Sequence, residues 1–456
     1  MDTKQKNFYS KMWYFALPIT VQLLITSGLN MVDSLMVGGL GVEAIASVGI
    51  ANKYSQFLIF ILQGFASGAT IFCAQYWGRK DLTGVRRTLM LVMKFVTIFA
   101  LLFSLFTIFY TKGVLSIFTK DEVVIREAST YLRIISLSYL FTGWSMIFNV
   151  TLKTMNIIHK PTIFSIITLL LNTLFNWILI YGPFGLPSYG IAGAAVATLL
   201  ARLVQTLLLL YLLYENRLIG KAAPEVKPEV NFPARYFKLT LPSIFNHFTW
   251  TMGDLTLFWI YTQVGTRATA AVSLVDPLVF IFISAYTGLS DASSVMIGQA
   301  LGKGSFVKAK DYARRFLRLT LQLSAVTSIL IVLFTPVLLS LYNITTEVED
   351  LAKELLIVFA ILSVFKHYNY INNVGILRVG GDTTFVMWLD TLFVWAYSIP
   401  LAFFLQRSGV AFPILYFAAT SHDILRAIIG HRRTASGKWV RSLVSDAQIG
   451  DLEEEA

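Results

Sequence analysis

Of the 456 residues 56% are hydrophobic and only 14% are charged, and the mean hydropathy is +0.66. A soluble domain carries about 25% charged residues, so a water-soluble globular protein is excluded. The formal net charge of +11 does not indicate nucleic acid as a partner, because most of the Lys and Arg residues cluster between apolar runs.

Each membrane-spanning helix needs about 20 mostly apolar residues, so the chain has room for roughly twelve. In chain order the predicted helices cover 12–37, 46–76, 86–111, 125–152, 161–182, 190–214, 237–262, 268–300, 311–335, 350–378, 383–405 and 410–430. The weak alternation of a membrane β-barrel is absent; runs such as Ile98–Phe109 and Ser324–Tyr342 are too long and too uniformly apolar. The first run follows Lys4, Lys6 and Lys11, but it is too long for a signal-peptide core and no small-residue cleavage pattern ends it. Cys73 is the single cysteine, which excludes a disulfide framework and a thiolate metal cluster. Gly38-Gly39, Gly78-Arg79, Lys160-Pro161, Gly182-Pro183 and Gly380-Gly381 punctuate the helices.

Glu215–Arg235, with three prolines, is the longest polar stretch and reads as a linker. The predicted organisation is an N-terminal six-helix lobe (1–214), a cytoplasmic linker (215–235), a C-terminal six-helix lobe (236–430) and a cytoplasmic tail (431–456). Lys and Arg crowd alternate loops, for example Arg79, Lys80, Arg86 and Arg87, then Lys303, Lys308, Lys310, Arg314 and Arg315, then Arg378. By the positive-inside rule this sets both termini on the cytoplasmic side of a cell (inner) membrane crossed many times.

A shift of 224 residues superposes the halves without a gap over more than sixty positions. Leu17-Pro18 falls on Leu241-Pro242, Gly41 on Gly265, Gly64 on Gly288, and Gln75 and Gly78 on Gln299 and Gly302. After a six-residue contraction, 171–177 meets 389–395. Six spans per half give both halves the same orientation. The fold class is therefore an all-α polytopic membrane protein, with twelve transmembrane helices in two parallel six-helix repeats. Such repeats are the architecture of alternating-access carriers.

The ordered strings Pro18…Asp33…Val37-Gly38-Gly39-Leu40-Gly41, Tyr181-Gly182-Pro183-Phe184-Gly185, Gly298-Gln299…Gly302 and Gly380-Gly381-Asp382 resemble the multidrug and toxic compound extrusion (MATE) family over about 12–430. That resemblance implies V-shaped lobes that export organic cations in exchange for H⁺ or Na⁺. Two positions depart from it. Asn172 and Asn176 stand where many relatives carry an Asn-x-x-x-Asp pattern in the fifth span, and Asn246-His247 stands where they often carry Asn-Glu in the seventh.

Ionisable groups at bilayer depth are costly and mark functional candidates. Gln22, Thr26, Asn30 and Asp33 make one polar stripe on the first span, and Asn172 and Asn176 another on the fifth. A carboxylate there can alternate between a proton and a cationic substrate. In the second half His247, Trp250 and Asp254 share a face of the seventh span, Asp276 and Asp291 the eighth, and Asp390 and Tyr397 the eleventh. Three or four acids against Lys366 suggest a net-negative cavity, with an Asp276 or Asp390 pair to Lys366 as the structural alternative. Trp144, Trp177, Trp250 and Trp395 are candidates for a ring face under a flat cation. Gly298-x-x-x-Gly302-Lys303 imitates a phosphate loop but follows a membrane helix and lacks the Ser/Thr.

The expected activity is secondary active antiport of amphipathic organic cations. Cation coupling falls to Asp33, Asp390, Asp276, Asp291 and His247, and substrate binding to Gln22, Asn30, Asn172, Asn176, Trp250, Asp254 and Tyr397. No catalytic residue, metal site or cofactor is expected, H⁺ or Na⁺ being the coupling ion and H⁺ preferred because no acid occupies the His247 position. The expected partners are small-molecule organic cations and membrane lipids, with no nucleic acid, and the chain is expected to act as a monomer. A flippase for lipid-linked precursors calls for a cationic cavity instead, and an integral membrane acyltransferase leaves the duplication without a purpose.

Overall fold

A computed structural model describes residues 3–226, 229–340 and 345–444. Those residues form helices and connecting turns, with no strand among them, as backbone at bilayer depth requires when each N–H must be satisfied inside its own segment. The helices are α1 (Thr3–Gly38), α2 (Val42–Gly78), α3 (Leu82–Leu115), α4 (Glu122–Ser136), α5 (Tyr139–Thr154), α6 (His159–Tyr181), α7 (Gly190–Glu215), α8 (Phe232–Thr262), α9 (Thr266–Gly302), α10 (Phe306–Leu339), α11 (Thr346–Asn369), α12 (Thr383–Leu392), α13 (Ile399–Arg407), α14 (Phe412–Thr420) and α15 (His422–Ala435). The arrangement is the expected one of twelve segments, four of them broken or continued by irregular turns.

Among the described residues eight helices are long and apolar enough to cross a membrane singly, and the pair α4–α5, bent by 46°, makes a ninth. The bend divides the predicted 125–152 helix. Ser136 and Ser138 turn their hydroxyls back onto the Arg133 and Ile135 carbonyls at 2.8 and 2.6 Å, which competes with the helical ladder. The predicted tenth span passes into a π-helix at Tyr370–Leu377, and the eleventh contains another at Phe393–Ser398. The twelfth breaks between α14 and α15, where Thr420 and Ser421 make the same backward bonds. The segments that do not qualify include α8, whose length carries Asn246, His247 and Asp254, and α14 and α15, which are 9 and 14 residues long.

Local sequence sets the ends. Asp81 and Asp121 cap α3 and α4 by accepting Gly84 N at 2.8 Å and Val123 N at 2.9 Å. Gly182 closes α6 at φ +62°, a left-handed conformation that glycine adopts without strain.

Contacts divide the chain into two compact units, and this partition is not that of the sequence repeat. One comprises Val21–Cys73 and Lys80–Tyr236; the other comprises Met1–Thr20, Ala74–Arg79 and Phe237–Ala456. The first is tied across its helices by Tyr54 Oη to Thr107, Ser55 to Tyr139, Ser104 to the Ser136 carbonyl and Trp144 Nε1 to Thr97, at 2.8–2.9 Å. The segment read as a linker is pinned to this unit. Glu229 bridges Arg87 at 2.5 Å and Arg235 at 2.9 Å, and Tyr236 donates to the Phe65 carbonyl at 2.7 Å.

The second unit shows why the end of α2 belongs to it. Ala74 and Gly78 of α2 cross Gly298 and Gly302 of α9 so closely that a Cβ on Gly78 would strike the Gln299 backbone, and one on Gly302 the Gln75 backbone. Gly78 and Gly302 are repeat equivalents, as are Gln75 and Gln299, so the duplicated motif meets its own copy. The phosphate-loop imitation is thus one side of a small-residue helix crossing, where van der Waals packing substitutes for the hydrophobic effect that lipid cannot supply. Gly288 likewise admits the Ala16 and Thr20 backbone of α1.

The described part of the tail is packed rather than solvated. Trp439 is 1% exposed and donates to the Thr434 carbonyl at 3.0 Å. Leu443 N donates to Gln75 Oε1 at 2.7 Å, and Arg433 bridges Asp382 at 2.6 and 3.0 Å. Residues 445–456, including the acidic end, lie outside the described residues.

Gly302→Val is expected to cost about 3 kcal/mol through overpacking at the crossing, whereas Gly113→Ala on open α3 surface should be neutral or slightly stabilising. Thermal unfolding of the purified variants checks both; equal melting temperatures would remove the crossing's role.

Candidate functional site

The unit that contains Val21–Cys73 and Lys80–Tyr236 holds an open cavity of about 610 Å³. Three polar stripes converge on it: Gln22, Thr26, Asn30 and Asp33 from α1; Ser165, Thr168, Asn172 and Asn176 from α6; and Thr198, Arg202 and Gln205 from α7. Asn52, Ser55 and Gln56 of α2 and the Tyr131 and Tyr139 rings complete the wall. Residues three or four apart share a helix face, so each stripe follows from spacing alone. Alanines beside the polar groups, Ala194 and Ala201 on α7, leave the lumen open.

Among the described residues that line it, Asp33 is the only carboxylate. Its Oδ1 accepts Asn176 Nδ2 at 2.9 Å and Thr173 Oγ1 at 3.4 Å. With its amide oriented by the surrounding hydrogen bonds, Asn172 donates to Oδ2 at 2.9 Å and accepts Thr198 N at 3.3 Å. The acid is therefore cradled by neutral donors from a single helix, α6. Such a carboxylate keeps its remaining acceptor capacity for a proton, a small cation or an ammonium group.

The other unit places Asp390 in a different chemistry. Asp390 Oδ1 accepts Arg426 Nε at 3.1 Å and Asn373 Nδ2 at 3.3 Å, and Oδ2 accepts Asn246 Nδ2 at 3.1 Å. Arg426 also bridges Asp423 at 2.8 Å, and Asp423 takes Asn369 Nδ2 at 3.1 Å. Arg378 lies 4.0 Å from Asp390, donates to Asn246 Oδ1 and faces His247 Nε2 at 3.4 Å. Asp390, Asp423, Arg378 and Arg426 are each at most 5% exposed. Asn369, the last residue of α11, and Asn373, in the π-helix that follows it, thus bond the two acids of this cluster.

These distances revise several expectations. Asp390 meets Arg426 and Arg378, not Lys366. Two arginines balance two aspartates, so this buried core is electrically matched and not net-negative. Arg378, counted among the cytoplasmic loop charges, is buried. Trp250 presents its ring to the Arg426 guanidinium, 4.9 Å from the centroid, so that face is already occupied by a cation of the chain. Trp144 is bonded to Thr97, and Trp395 Nε1 donates to the Thr249 carbonyl at 3.0 Å. The rings that line the cavity belong to tyrosines.

Gln22, Asn30, Asp33, Asn172 and Asn176 come together around the cavity, and His247, Trp250 and Asp390 around the arginines. Tyr397 stands aside, its hydroxyl 3.0 Å from Ser421 Oγ. Asp254 and Asp276 are exposed on α8 and α9, near Tyr261, and Asp291 is half-buried on α9. None of these three lines the cavity. Sequence reasoning passed over Arg202, Asp423 and Arg426. Arg202 is the one charge inside the leucine-rich body of α7, a signal that intramembrane charge alone provides.

A duplicated bundle of membrane-crossing helices with a polar chamber inside one unit defines a polytopic membrane transporter. The profile of the MatE family matches residues 18–178 and 242–404, and the chain belongs to that family. It is 28% identical to the "Probable multidrug resistance protein NorM" of Rhizobium meliloti, over 91% of this chain and 89% of that protein. It is 24% identical to the protein of the same name from Thermotoga maritima, over 94% and 92%. A crystal structure of the Vibrio cholerae MATE transporter VcmN superposes with a TM-score of 0.89 at 17% identity, covering 97% of this chain and 99% of that one. That last likeness is one of fold.

Replacing Asp390 by Asn should leave two buried guanidiniums short of a countercharge and cost about 3–5 kcal/mol. The check is thermal unfolding in detergent, with Asp390→Leu combined with Arg426→Met expected to recover part of the loss. A melting temperature unchanged in Asp390→Asn would show that the cluster is not an ion-pair network.

Proposed function

We propose that the chain is a secondary active antiporter that exports amphipathic organic cations by alternating access, driven by an inward H⁺ or Na⁺ gradient. The observation that carries this reading is the carboxylate in the chamber, Asp33, held by amides and a hydroxyl and, among the described residues, bonded to no basic side chain. A volume near 610 Å³ suits one drug-sized molecule, for which pockets of about 300–1,000 Å³ are usual. The multidrug-resistance names of the relatives agree with expulsion of toxic compounds.

Asp33 holds the coupling ion and the cationic substrate in turn, while Gln22, Asn30, Asn172 and Asn176 orient the bound molecule and Tyr131 and Tyr139 offer ring faces. Asp390 and His247 act indirectly, by holding the helices that carry them, since two arginines already neutralise the acids there. Asp254, Asp276, Asp291, Trp250 and Tyr397 are secondary in this reading. Protons are favoured over sodium because the second unit offers a sodium ion no free acid at the His247 position. The protein works as a monomer in the cell membrane, with both termini in the cytoplasm, and needs no cofactor beyond the coupling ion.

Asp33→Asn keeps the size and the polar contacts of the side chain and removes its charge. In proteoliposomes it should lower gradient-driven ethidium efflux by at least about tenfold, the scale of one charge-assisted interaction. Efflux that survives with its ion dependence intact would exclude Asp33 from the exchange.

A further inference from the structure

The cavity contains a second fixed charge that the antiport reading does not use. Arg202 lies twelve residues into α7, about 18 Å from the helix start at 1.5 Å per residue, and hence near the middle of a bilayer core about 30 Å thick. It lines the same chamber as Asp33. Among the described residues its guanidinium bonds a neutral acceptor, Gln205 Oε1, at 3.0 Å, and forms no ion pair. Gln205 is itself held by Ser165, Nε2 to Oγ at 3.3 Å. Arg378 and Arg426, the arginines buried in the other unit, each have a carboxylate within 4.0 Å. A guanidinium cannot deprotonate inside a protein, so Arg202 is a permanent cation whose countercharge the chamber wall does not supply.

Asp33 does not supply it, and the wall keeps the two apart. Asn172 stands between Asp33 and α7: its amide nitrogen reaches Asp33 and its oxygen takes the Thr198 N–H. Arg202 is one helical turn beyond Thr198, about 6 Å further along α7, and its guanidinium is bonded to Gln205 rather than to Asp33. Asp33, Arg202 and the Tyr131 and Tyr139 rings line one cavity, so a small aromatic molecule carrying both charges would meet all four.

We propose that Arg202 is the anion-binding end of the chamber, and that the substrates include zwitterions whose ammonium meets Asp33 and whose carboxylate meets Arg202. The inference rests on the cavity being the substrate chamber, as proposed above. It adds that a purely cationic compound leaves Arg202 unmatched and so binds less well than its zwitterionic counterpart. It also gives the exchange a direction. A proton taken up by Asp33 removes the partner of the ammonium group and leaves the substrate held at one end only.

The test is equilibrium calorimetry on the full-length protein in lipid nanodiscs with three matched probes: para-piperazinylbenzoic acid, its methyl ester and its N-acetyl derivative. The zwitterion should bind at least about tenfold more tightly than the cationic ester, the scale of one charge-assisted contact. Arg202→Gln should bring that ratio close to one, and Arg202→Lys should retain part of it. Ester binding equal to or tighter than that of the acid in the unmodified protein overturns the proposal without any variant having to fold. So does a ratio that survives Arg202→Gln, or a failure of all three probes to bind. Because binding requires no gradient, failure of gradient-driven efflux would sink the antiport reading and leave this ratio standing.

Discussion

A charge at bilayer depth must be matched, and the way each one is matched organises this protein. Where aspartate meets arginine, as at Asp390, Asp423, Arg378 and Arg426, the result is a buried, charge-matched brace. Breaking such a brace is costly because the surviving partner stays buried. Where aspartate meets only amides and a hydroxyl, as at Asp33, the charge is solvated by the protein but not cancelled. The same residue type is thus ion-paired in one unit and left uncancelled in the other, and its neighbours decide which.

The duplication explains how this division arose on one scaffold. The halves share what packing demands: the prolines at 18 and 242, and the glycines at 78 and 302 that let α2 and α9 touch through their backbones. They differ in polar content. Asn172, which donates to Asp33, occupies the repeat position of Asp390, and Leu257 occupies that of Asp33. A change from amide to acid at one equivalent position, with Arg426 beside it, separates a chamber wall from a structural core.

Much of this was legible in the sequence. Apolar runs, punctuating glycines and the constant offset between the halves reported the helices and the repeat, because helical periodicity and span length are local properties. The stripe of Gln22, Thr26, Asn30 and Asp33 reported one wall of the chamber for the same reason. Partners distant in the chain were not legible. Arg426 reaches Asp390 across 36 residues and two helix breaks, and no spacing rule connects them. The π-helical turns beside that cluster depend on tertiary packing. Arg378 was assigned to a loop because positive charge near a glycine pair is ordinarily cytoplasmic. Arg202 was visible as a lone charge in α7, but only the neighbouring stripes show that it faces the same space as Asp33.

The central claim is that one carboxylate serves both the coupling ion and the substrate, so that the two compete. The direct measurement is equilibrium binding of tetraphenylphosphonium to the protein in nanodiscs as pH and sodium are varied separately. The account predicts that raising the concentration of one of these ions displaces the substrate at about one ion per molecule bound, and that Asp33→Asn abolishes the competition. Affinity indifferent to both ions, or competition unchanged in Asp33→Asn, would contradict it.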